Sequence, residues 1–582
     1  MRDEPSRRFA HQVEQLLRQS LPINGLAALI GVAAGLAAVA FRWFLYALNN
    51  LFFHQELSIG FIPPLDHALG WLVVLVPAIG GLLVGLITTY LAPETKGHGV
   101  PEVMEAIAMH GGRIRPVVVL AKALASGFCI GSGGSSGREG PIVQMGSAAG
   151  SALGQLFQLN RRDMKVLVGC GAAAGITATF NTPLAGVVFA IELILLEFRT
   201  KSFVPLVIAS VIGTVISRLV LGSDPAFAIP AYAFESPIEL AFYLVLGLVA
   251  AGAGVLLIEI LYGTEAVFDR WRVHPVFKPI VGGLALGTIG LAFPQVFGVG
   301  YESVDAILNS EIGNVGIGLM GFLVLLAGVK TIALSLTLGS GGSGGVFAPS
   351  LFIGAAIGGA FGVLVNVLFP EIAAPYPAYA LVGMAALFSA ASRATFTSIL
   401  MLFEMTGDYN IILPLMFACV VADVVAWHLY RDTIYTKKLQ GRGIHIDHDL
   451  ETNVLRSRFI RDVMITNVQT VPPWMTLRHV RRLVLESGHH GFPVVDDDGK
   501  LTGIVTGQDI NRAIRTRRNG RDLPVEDIAR RDLIVGYPDE TLDAAWDRMQ
   551  FSHVGHLPIV DRHDECRLVG YLTKGDIIRG RA

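Results

Sequence analysis

The chain has 582 residues, of which 52% are hydrophobic and only 16% are charged, and it contains 66 glycines. This composition is more apolar and richer in glycine than that of an average soluble protein, and it predicts a polytopic membrane protein. The formal net charge of −2 indicates no particular partner, and we expect no nucleic-acid binding. The four cysteines are scattered, which argues against a disulfide framework and against a metal site.

Residues 1–20 form a polar, arginine-containing stretch without the apolar core of a cleavable signal peptide. Their pattern predicts a short amphipathic helix lying at the cytoplasmic surface. Arg199 and Lys201 lie between apolar segments, and Lys437 and Lys438 follow the last one. By the positive-inside tendency, these residues predict that both termini are cytoplasmic.

The apolar segments are numerous and of uneven length. Leu69–Ala92 carries no charged side chain and is long enough to cross a hydrocarbon core of ~30 Å. About seventeen segments lie between Ile23 and Tyr435, and many are too short to cross a bilayer alone. The free ends of such short helices must be covered by protein.

A glycine- and serine-rich stretch, Gly131–Pro141, places Glu139 inside an apolar region. A charge at membrane depth costs at least ~2.5–3.5 kcal/mol, so it usually marks an ion or proton pathway. The glycines cannot hold a regular helix, whereas Pro141 suits the first turn of a new one, so we expect a helix to begin near Glu139. Its N-terminus would attract an anion.

The stretch recurs at Gly339–Pro349, an offset of 208 residues, and at this offset Lys122 aligns with Lys330. The repeat predicts two related membrane halves. Two further segments of the first half recur in the second. Val166–Gly175 recurs as Val382–Ala391, and Phe180–Leu196 recurs as Ala394–Phe403. The latter two segments carry a glutamate near their ends, Glu192 in the first half and Glu404 in the second. We expect both glutamates to make structural hydrogen bonds.

A third helix start of the same kind is Gly97-His98-Gly99-Val100-Pro101. Helices that break near the membrane midplane are how many transporters build a binding site. The sequence therefore predicts that three helix N-termini contribute to one ion pathway.

From about Gly441 the composition becomes charged and typical of a soluble domain. Two modules of about 60 residues each read as strand, helix, strand, strand, helix. Asp509 and Asp576 each follow a threonine, Thr506 or Thr573, by three residues and open the last helix of their module. Helix N-capping is a sufficient explanation for both aspartates.

At these motifs the chain resembles the CLC family of chloride channels and anion/proton antiporters, followed by a tandem CBS pair. The matching motifs are Gly97–Pro101, Gly137–Pro141 and Gly345–Pro349, with Tyr435 after the last span. The resemblance implies a polytopic α-helical membrane protein with an inverted internal repeat of about 17–18 helices, many tilted or broken, plus a small α/β cytoplasmic CBS pair.

The resemblance also implies domain boundaries. The N-terminal cytoplasmic helix covers 1–20, and the transport domain covers 21–440 in halves of about 21–222 and 236–440. A linker at 441–460 precedes CBS domains of about 461–518 and 525–582.

Roles for individual residues follow from the same resemblance. Glu139 aligns with the glutamate that gates the pore and carries a proton. The predicted anion-binding residues are the backbone around His98, Gly99 and Val100, the backbone from Arg138 to Gly140, the N–H groups of Val346 and Phe347, and the hydroxyl of Tyr435. In CBS modules, Thr506, Asp509, Thr573 and Asp576 fall where the ribose of an adenine nucleotide binds, which is an alternative to simple capping.

Two departures from the family pattern affect these expectations. His98 stands where the family has an anion-coordinating serine, and it could contact the anion or be structural. Leu193 stands where proton-coupled members usually have an internal glutamate. The first leaves the anion preference open, and the second leaves the proton route open.

The sequence therefore predicts transport of chloride or a similar small anion, gated by Glu139, in a multi-pass protein of the inner or plasma membrane. The predicted mode is chloride/proton antiport in a homodimer with a pore in each subunit and no required cofactor. A passive voltage- or pH-gated chloride channel is the alternative, and a fluoride exporter fits the motifs less well. An enzyme and a magnesium transporter are disfavoured, because no nucleophile–base set occurs in the soluble part and the spans lack acidic clusters.

Overall fold

The computed structural model describes residues 4–580, except for 65–66, 197–199, 224–226, 228–236, 313–315, 445–457, 488, 517–521 and 553. The chain forms two compact units, Met1–Gly443 and Ile444–Ala582. Most of the predicted linker at 441–460 lies outside the described residues.

The described part of the first unit contains seventeen α-helices, of which sixteen precede Tyr435, where the sequence predicts about seventeen segments. They are α1 (Glu4–His54), α2 (Leu75–Leu86), α3 (Val100–His110), α4 (Val117–Gly131), α5 (Glu139–Leu156), α6 (Arg161–Phe180), α7 (Pro183–Phe189), α8 (Thr200–Leu221), α9 (Glu239–Arg270), α10 (Lys278–Ala292), α11 (Tyr301–Leu308), α12 (Ile317–Gly339), α13 (Phe347–Leu368), α14 (Tyr376–Ser392), α15 (Thr395–Thr406), α16 (Ile412–Leu429) and α17 (Thr436–Gly441).

Among the described residues, eight helical segments are long and apolar enough to cross a membrane. They are Ile23–His54, Gly70–Leu91, Lys201–Leu221, Glu239–Arg270, Pro275–Ala292, Ile317–Gly339, Phe347–Leu368 and Ile412–Leu429. Shorter apolar helices lie between them, as the sequence predicts, and the polytopic helical fold is confirmed. The predicted surface helix at 1–20 is continuous with the first span, because α1 runs without a break from Glu4 to His54.

Glycines on facing helices relate the two halves. A Cβ on Gly146 of α5 would meet the carbonyl of Gly171 on α6, and a Cβ on Gly354 of α13 would meet the carbonyl of Gly383 on α14. Gly171 and Gly383 therefore occupy equivalent positions, 212 residues apart in the sequence. The sequence pairing of Val166–Gly175 with Val382–Ala391 implied a separation of 216 residues. A shift of four residues keeps the same face of a helix, so the apolar pattern alone does not distinguish the two registers.

Two buried lysines hold equivalent loops in the two halves. Lys122 donates to the carbonyls of Thr95 and Gly97 at 3.0 and 2.8 Å. Lys330 donates to the carbonyls of Val296 and Gly298 at 3.1 and 3.2 Å. Each loop leads directly into a helix, α3 in the first half and α11 in the second, so the lysines fix the positions of both helix starts.

The second unit contains two small α/β modules. The first comprises α18 (Leu477–Ser487), β1 (Gly491–Val495), β2 (Leu501–Thr506) and α19 (Gly507–Thr516), and the second comprises α20 (Leu542–Phe551), β3 (His556–Asp561), β4 (Asp564–Thr573) and α21 (Lys574–Gly580). In each module the two strands pair antiparallel, with Gly491 opposite Thr506 and His556 opposite Thr573.

The sequence predicts a strand before the first helix of each module, and in the first module it places this strand at Asp462–Met464. The structure has a 3₁₀ turn at Ile460–Asp462 instead. Before each first helix it forms one parallel bridge, Val471 to Val494 in the first module and Gly536 to Ile559 in the second. Pro472 and Pro473 directly follow Val471, and proline cannot donate to a strand ladder. In the first module, the prolines therefore explain why pairing stops after one bridge.

Candidate functional site

The starts of α3, α5 and α13 meet in the interior of the membrane unit, as the three motifs predict. The N–H of Gly137 donates to the carbonyl of Gly345 at 2.8 Å, and the N–H of Gly345 donates back at 2.6 Å. The loop before α3 joins them, because the N–H of Gly97 donates to the carbonyl of Gly342 at 2.9 Å. Backbone bonds between the halves thus bring three positive helix N-termini to one place.

This approach requires glycine at the crossing points. A Cβ on Gly140 would collide with the carbonyl of His98, and a Cβ on Gly345 would lie 2.8 Å from the backbone nitrogen of Gly140. No side chain fits at either position without moving backbone. The motif glycines therefore set the distance between helix starts.

A buried cleft lies at this junction. In the present conformation it has no free volume for a water molecule. Its lining includes seven of the predicted pathway residues, namely His98, Val100, Glu139, Gly140, Val346, Phe347 and Tyr435, together with Val143, Ile176 and Phe189. Of the two remaining predicted residues, Gly99 packs against the carbonyl of Gly140. Arg138 lines a separate cavity.

Glu139 is 1% exposed and begins α5. Its Oε1 accepts a hydrogen bond of 2.7 Å from the hydroxyl of Tyr301. A Cβ on Gly137 would touch both Oε2 of Glu139 and the backbone nitrogen of Ala348, which places this oxygen at the start of α13. Oε2 has no hydrogen-bond partner among the described residues, and the carboxylate therefore lies next to, but is not bonded to, the helix N-termini that would attract an anion.

The neighbouring Arg138 contributes less to Glu139 than its charge suggests. The closest approach, from Nε of Arg138 to Oε1 of Glu139, is 3.9 Å, which is too long for a hydrogen bond. The guanidinium instead lies over the ring of Tyr301, 5.4 Å from its centroid. An ion pair with Arg138 therefore does not explain why a glutamate is buried at position 139.

Aromatic rings fix the α13 side of the cleft. The ring of Phe347 lies 4.3 Å from that of Phe388 and 5.2 Å from that of Phe180, measured between centroids. Tyr435 is buried and its ring lies 6.3 Å from that of His98. Phe347 and Tyr435 thus each pack against aromatic neighbours where they line the cleft.

His98 is 2% exposed and contacts the hydroxyl of Tyr262 through Nε2 at 3.2 Å. The same hydroxyl lies 2.6 Å from the carbonyl of Ile434, which can only accept. Because a phenol has one hydrogen, Tyr262 donates to Ile434 and accepts from Nε2–H of His98. In the neutral ring, Nδ1 then has no hydrogen to donate, so neutral His98 cannot offer that nitrogen as a donor in place of the serine hydroxyl.

Two larger cavities flank the cleft. The Arg138 cavity has a volume of about 380 Å³ and is lined by residues that include Arg138, Tyr301 and Gly131. The Arg442 cavity has a volume of about 290 Å³, and its lining includes Arg442 and Arg115. Arg115 precedes α4 and Gly131 ends it, so the cavities lie at opposite ends of a 15-residue helix that is ~22 Å long.

Glu192 and Glu404 make reciprocal structural bonds, as the sequence predicts. Oε2 of Glu192 accepts from the N–H of Thr397 at 2.8 Å, at the start of α15. Oε2 of Glu404 accepts from the N–H of Ala185 at 2.7 Å, at the start of α7. Each glutamate therefore caps the corresponding helix in the other half. Leu193, next to Glu192, is 5% exposed and offers no titrating group.

In the second unit, each Thr-x-x-Asp segment closes on itself. The hydroxyl of Thr506 donates to Asp509 at 2.6 Å, and the hydroxyl of Thr573 donates to Asp576 at 2.6 Å. The backbone N–H of each threonine donates to the same aspartate oxygen. The backbone N–H of each aspartate donates back to the threonine hydroxyl, so Thr506 and Thr573 cap the helices and Asp509 and Asp576 complete a capping box.

The motifs did not reveal Tyr301 or Tyr262. A signal for Tyr301 exists, since Gly298-Val299-Gly300 precedes it with the glycine spacing of Gly97-His98-Gly99. Tyr262 lies within the long helix α9, where nothing in the local sequence marks it.

The fold and the site define a class: a polytopic membrane protein in which broken helices from two halves meet around a buried acid. The family described as voltage gated chloride channel matches residues 80–427, and the CBS domain family matches residues 460–516 and 525–582. The chain therefore belongs to the CLC family of anion transport proteins and carries a CBS pair.

Individual relatives agree with this assignment. The chain is 37% identical over 419 residues to a ClcB-like chloride channel protein of Ralstonia nicotianae, covering 71% of this chain and 96% of the relative. It is 30% identical over 635 aligned positions to chloride channel protein CLC-f of Arabidopsis thaliana, covering 94% and 79%. A solved slow cyanobacterial Cl⁻/H⁺ antiporter is similar at a TM-score of 0.64 and 28% identity, covering 72% of this chain and 97% of that one.

Proposed function

We propose that the protein exchanges chloride, or a similar small anion, for protons, with Glu139 as both gate and proton carrier. The observation that carries this proposal is the position of the Glu139 carboxylate at the starts of α5 and α13. An ionised carboxylate there competes with an anion for the same helix N-termini. Protonation removes the negative charge, and an anion then replaces the side chain.

The remaining predicted residues would bind the anion along the cleft. Val346 and Phe347 would donate backbone N–H groups, and Tyr435 its hydroxyl, at the centre. The backbone around His98, Gly99 and Val100 would serve the inner end, and that of Arg138 and Gly140 the outer end. The shared cleft lining supports the assignment for His98, Val100, Gly140, Val346, Phe347 and Tyr435. Gly99 is supported by its close packing on Gly140, and Arg138 by its place directly before Glu139 at the start of α5.

The Arg442 cavity would open to the cytoplasm of a cell with this protein in its plasma or inner membrane. Support comes from the basic residues Lys437, Lys438 and Arg442, which lie between the last span and the soluble unit. In this orientation both termini are cytoplasmic, and the Arg138 cavity faces outwards. The cleft then separates an external from a cytoplasmic vestibule.

A passive chloride channel is the second candidate, and one observation favours it. Leu193 is buried at the position of the usual internal acid, and leucine cannot carry a proton. Antiport remains the proposal because Glu139 can itself carry a proton and because His98 lines the same cleft. The similarity to a Cl⁻/H⁺ antiporter adds support.

We also propose a homodimer with a pore in each subunit, no enzymatic activity and no required cofactor. In the CBS pair, an adenine nucleotide would bind through Thr506, Asp509, Thr573 and Asp576. This nucleotide site is supported by the position of the two Thr-x-x-Asp segments, each of which lies where the second strand of its module meets the following helix.

Proteoliposomes that hold the purified protein test the proposal. A chloride gradient should drive proton movement in the opposite sense, reported by a pH-sensitive dye. Glu139→Gln should retain chloride flux and lose proton movement. A magnesium gradient is the control and should drive nothing. Chloride flux without proton movement in the parent would instead support the channel, and absence of anion flux would contradict the proposal.

A further inference from the structure

Tyr301 makes a hydrogen bond to Glu139 that none of the recognised motifs predicts. Its hydroxyl donates to Oε1 at 2.7 Å, across 162 residues of sequence and from the opposite half of the repeat. A hydroxyl donor favours a charged carboxylate over a neutral carboxyl, because charge-assisted bonds are the stronger ones. The bond therefore favours ionised Glu139 in its buried position.

Neighbouring groups hold the ring of Tyr301 in place for this contact. The Arg138 guanidinium lies over one side, 5.4 Å from the ring centroid. The rings of Phe227 and Phe180 pack edge-on at 5.6 and 6.4 Å. Such packing restricts the ring before any gating movement, so little entropy is lost when the hydrogen bond forms.

The backbone that carries Tyr301 is equally fixed. Gly300 precedes it with a φ of 88°, which L side chains rarely adopt, and Lys330 donates to the carbonyl of Gly298. The same construction precedes α3, where Gly99 has a φ of 85° and Lys122 donates to the carbonyl of Gly97. The loop of the second half thus positions the Tyr301 hydroxyl beside the Glu139 carboxylate, which begins α5 in the first half.

We propose that Tyr301 is a positioning residue that keeps the ionised Glu139 carboxylate in the cleft and so sets the external pH at which the gate opens. This inference rests on the proposed role of Glu139. Other titratable or charged groups also face this region and contribute to the response of the gate to external pH. They are Arg138 at the start of α5, Arg42 and Tyr46 of α1, Glu302 and Asp305 of α11, and His98 and Tyr435 of the cleft.

Tyr301→Phe removes the hydroxyl and keeps the ring. Without the donor, ionised Glu139 is less stable in the cleft, so the gate opens at a lower external proton concentration. We expect the external pH of half-maximal chloride flux to rise by about one unit, equivalent to ~1.4 kcal/mol. The assay uses full-length protein in proteoliposomes at constant cytoplasmic pH.

A second measurement is chloride binding by calorimetry at neutral pH. Tyr301→Phe should bind chloride several-fold more tightly than the parent, because the competing carboxylate is held less firmly. Tyr379→Phe is the matched control, since Tyr379 is a buried tyrosine of α14 that lines neither the described cleft nor either cavity. It should leave both readouts unchanged.

The double variant Glu139→Gln with Tyr301→Phe separates the role of Tyr301 from that of Glu139. If Glu139→Gln flattens the external pH profile and Tyr301→Phe has no further effect in that background, the proposal is supported. A parental pH profile and parental chloride affinity in Tyr301→Phe would overturn the role of Tyr301 alone. A Glu139→Gln variant with the parental profile would overturn the gate, and the role of Tyr301 with it.

Discussion

Nε2 of His98 donates its hydrogen to the hydroxyl of Tyr262 across 3.2 Å, because that hydroxyl gives its own hydrogen to the carbonyl of Ile434. Nδ1 of His98 is buried and has no hydrogen-bond partner among the described residues. In the neutral ring this nitrogen is an acceptor only. An N–H directed at an anion is thus available from Nδ1 only in the protonated ring, which also adds a positive charge.

The first prediction follows for His98→Ser. Serine restores a hydroxyl donor that does not titrate, so chloride transport should persist while the response to cytoplasmic pH becomes flat. The external response that depends on Glu139 should remain. The measurement is chloride flux in proteoliposomes as each side is titrated separately.

His428→Ser is the control for that experiment, because His428 is an exposed histidine at the end of α16. It should leave both pH responses as they are in the parent. If His98→Ser retains the parental cytoplasmic pH response and the parental preference for chloride over nitrate, the ring of His98 is structural.

The second prediction concerns the reciprocal caps of the two halves. Glu192→Gln and Glu404→Gln each remove the charge from a carboxylate that accepts backbone N–H groups of a helix start. Each variant should lose ~1–2 kcal/mol of stability, by the usual value of such hydrogen bonds. Thermal unfolding of detergent-solubilised protein measures the loss.

The matched control is Glu371→Gln, since Glu371 is exposed in the loop after α13. Its unfolding temperature should equal that of the parent. Because the two caps are symmetric, Glu192→Gln and Glu404→Gln should have similar effects. A large loss of proton coupling in Glu192→Gln without loss of stability would instead give Glu192 a role in transport.

The sequence located the helix starts well, because glycine and proline mark them locally. The prediction that a helix begins near Glu139 is confirmed by α5. The register between α6 and α14 was wrong by four residues because a shift of one helical turn preserves the apolar face. Tyr301 and Tyr262 act on residues 162 and 164 positions away, so only the fold brings them to the cleft.

The third prediction concerns the pH dependence of stability in the second unit. Burial and the nearby His490 lower the pKa of His556, and Asp576 opposes them. A lowered pKa in the folded state means that the unfolded chain binds the proton first. The contribution of His556 should therefore be fully present above the unfolded value of ~6.5 and be lost as the pH falls toward the folded pKa.

Denaturant unfolding of the fragment 444–582, which is a compact unit of its own, tests this expectation. His556→Phe keeps an aromatic ring against Tyr571, which His556 stacks on at 5.9 Å, and removes the titration. The variant should lose less stability between pH 7.5 and 5.5 than the parent fragment. The exposed residue His563 provides the control His563→Phe, which should match the parent. Equal losses in all three fragments would contradict the assignment.

The fourth prediction concerns nucleotide binding by the CBS pair. Asp509→Asn and Asp576→Asn should each weaken the binding of ATP, ADP or AMP at least several-fold, because an amide has one acceptor oxygen where a carboxylate has two. The threonine bonds of Asp509 and Asp576 can be kept by asparagine, so folding should persist. Calorimetry on the full-length protein is the measurement, with the exposed residue Asp532 providing the control Asp532→Asn. Absence of heat in the parent would leave the aspartates with capping alone.

We propose that Glu139 couples chloride movement to proton movement. The most direct test is the reversal potential of the reconstituted protein in a fixed chloride gradient, measured with and without a pH gradient. The pH gradient should move the reversal potential of the parent and leave that of Glu139→Gln at the chloride equilibrium value. A parental reversal potential that follows the chloride gradient alone, whatever the pH gradient, would contradict it.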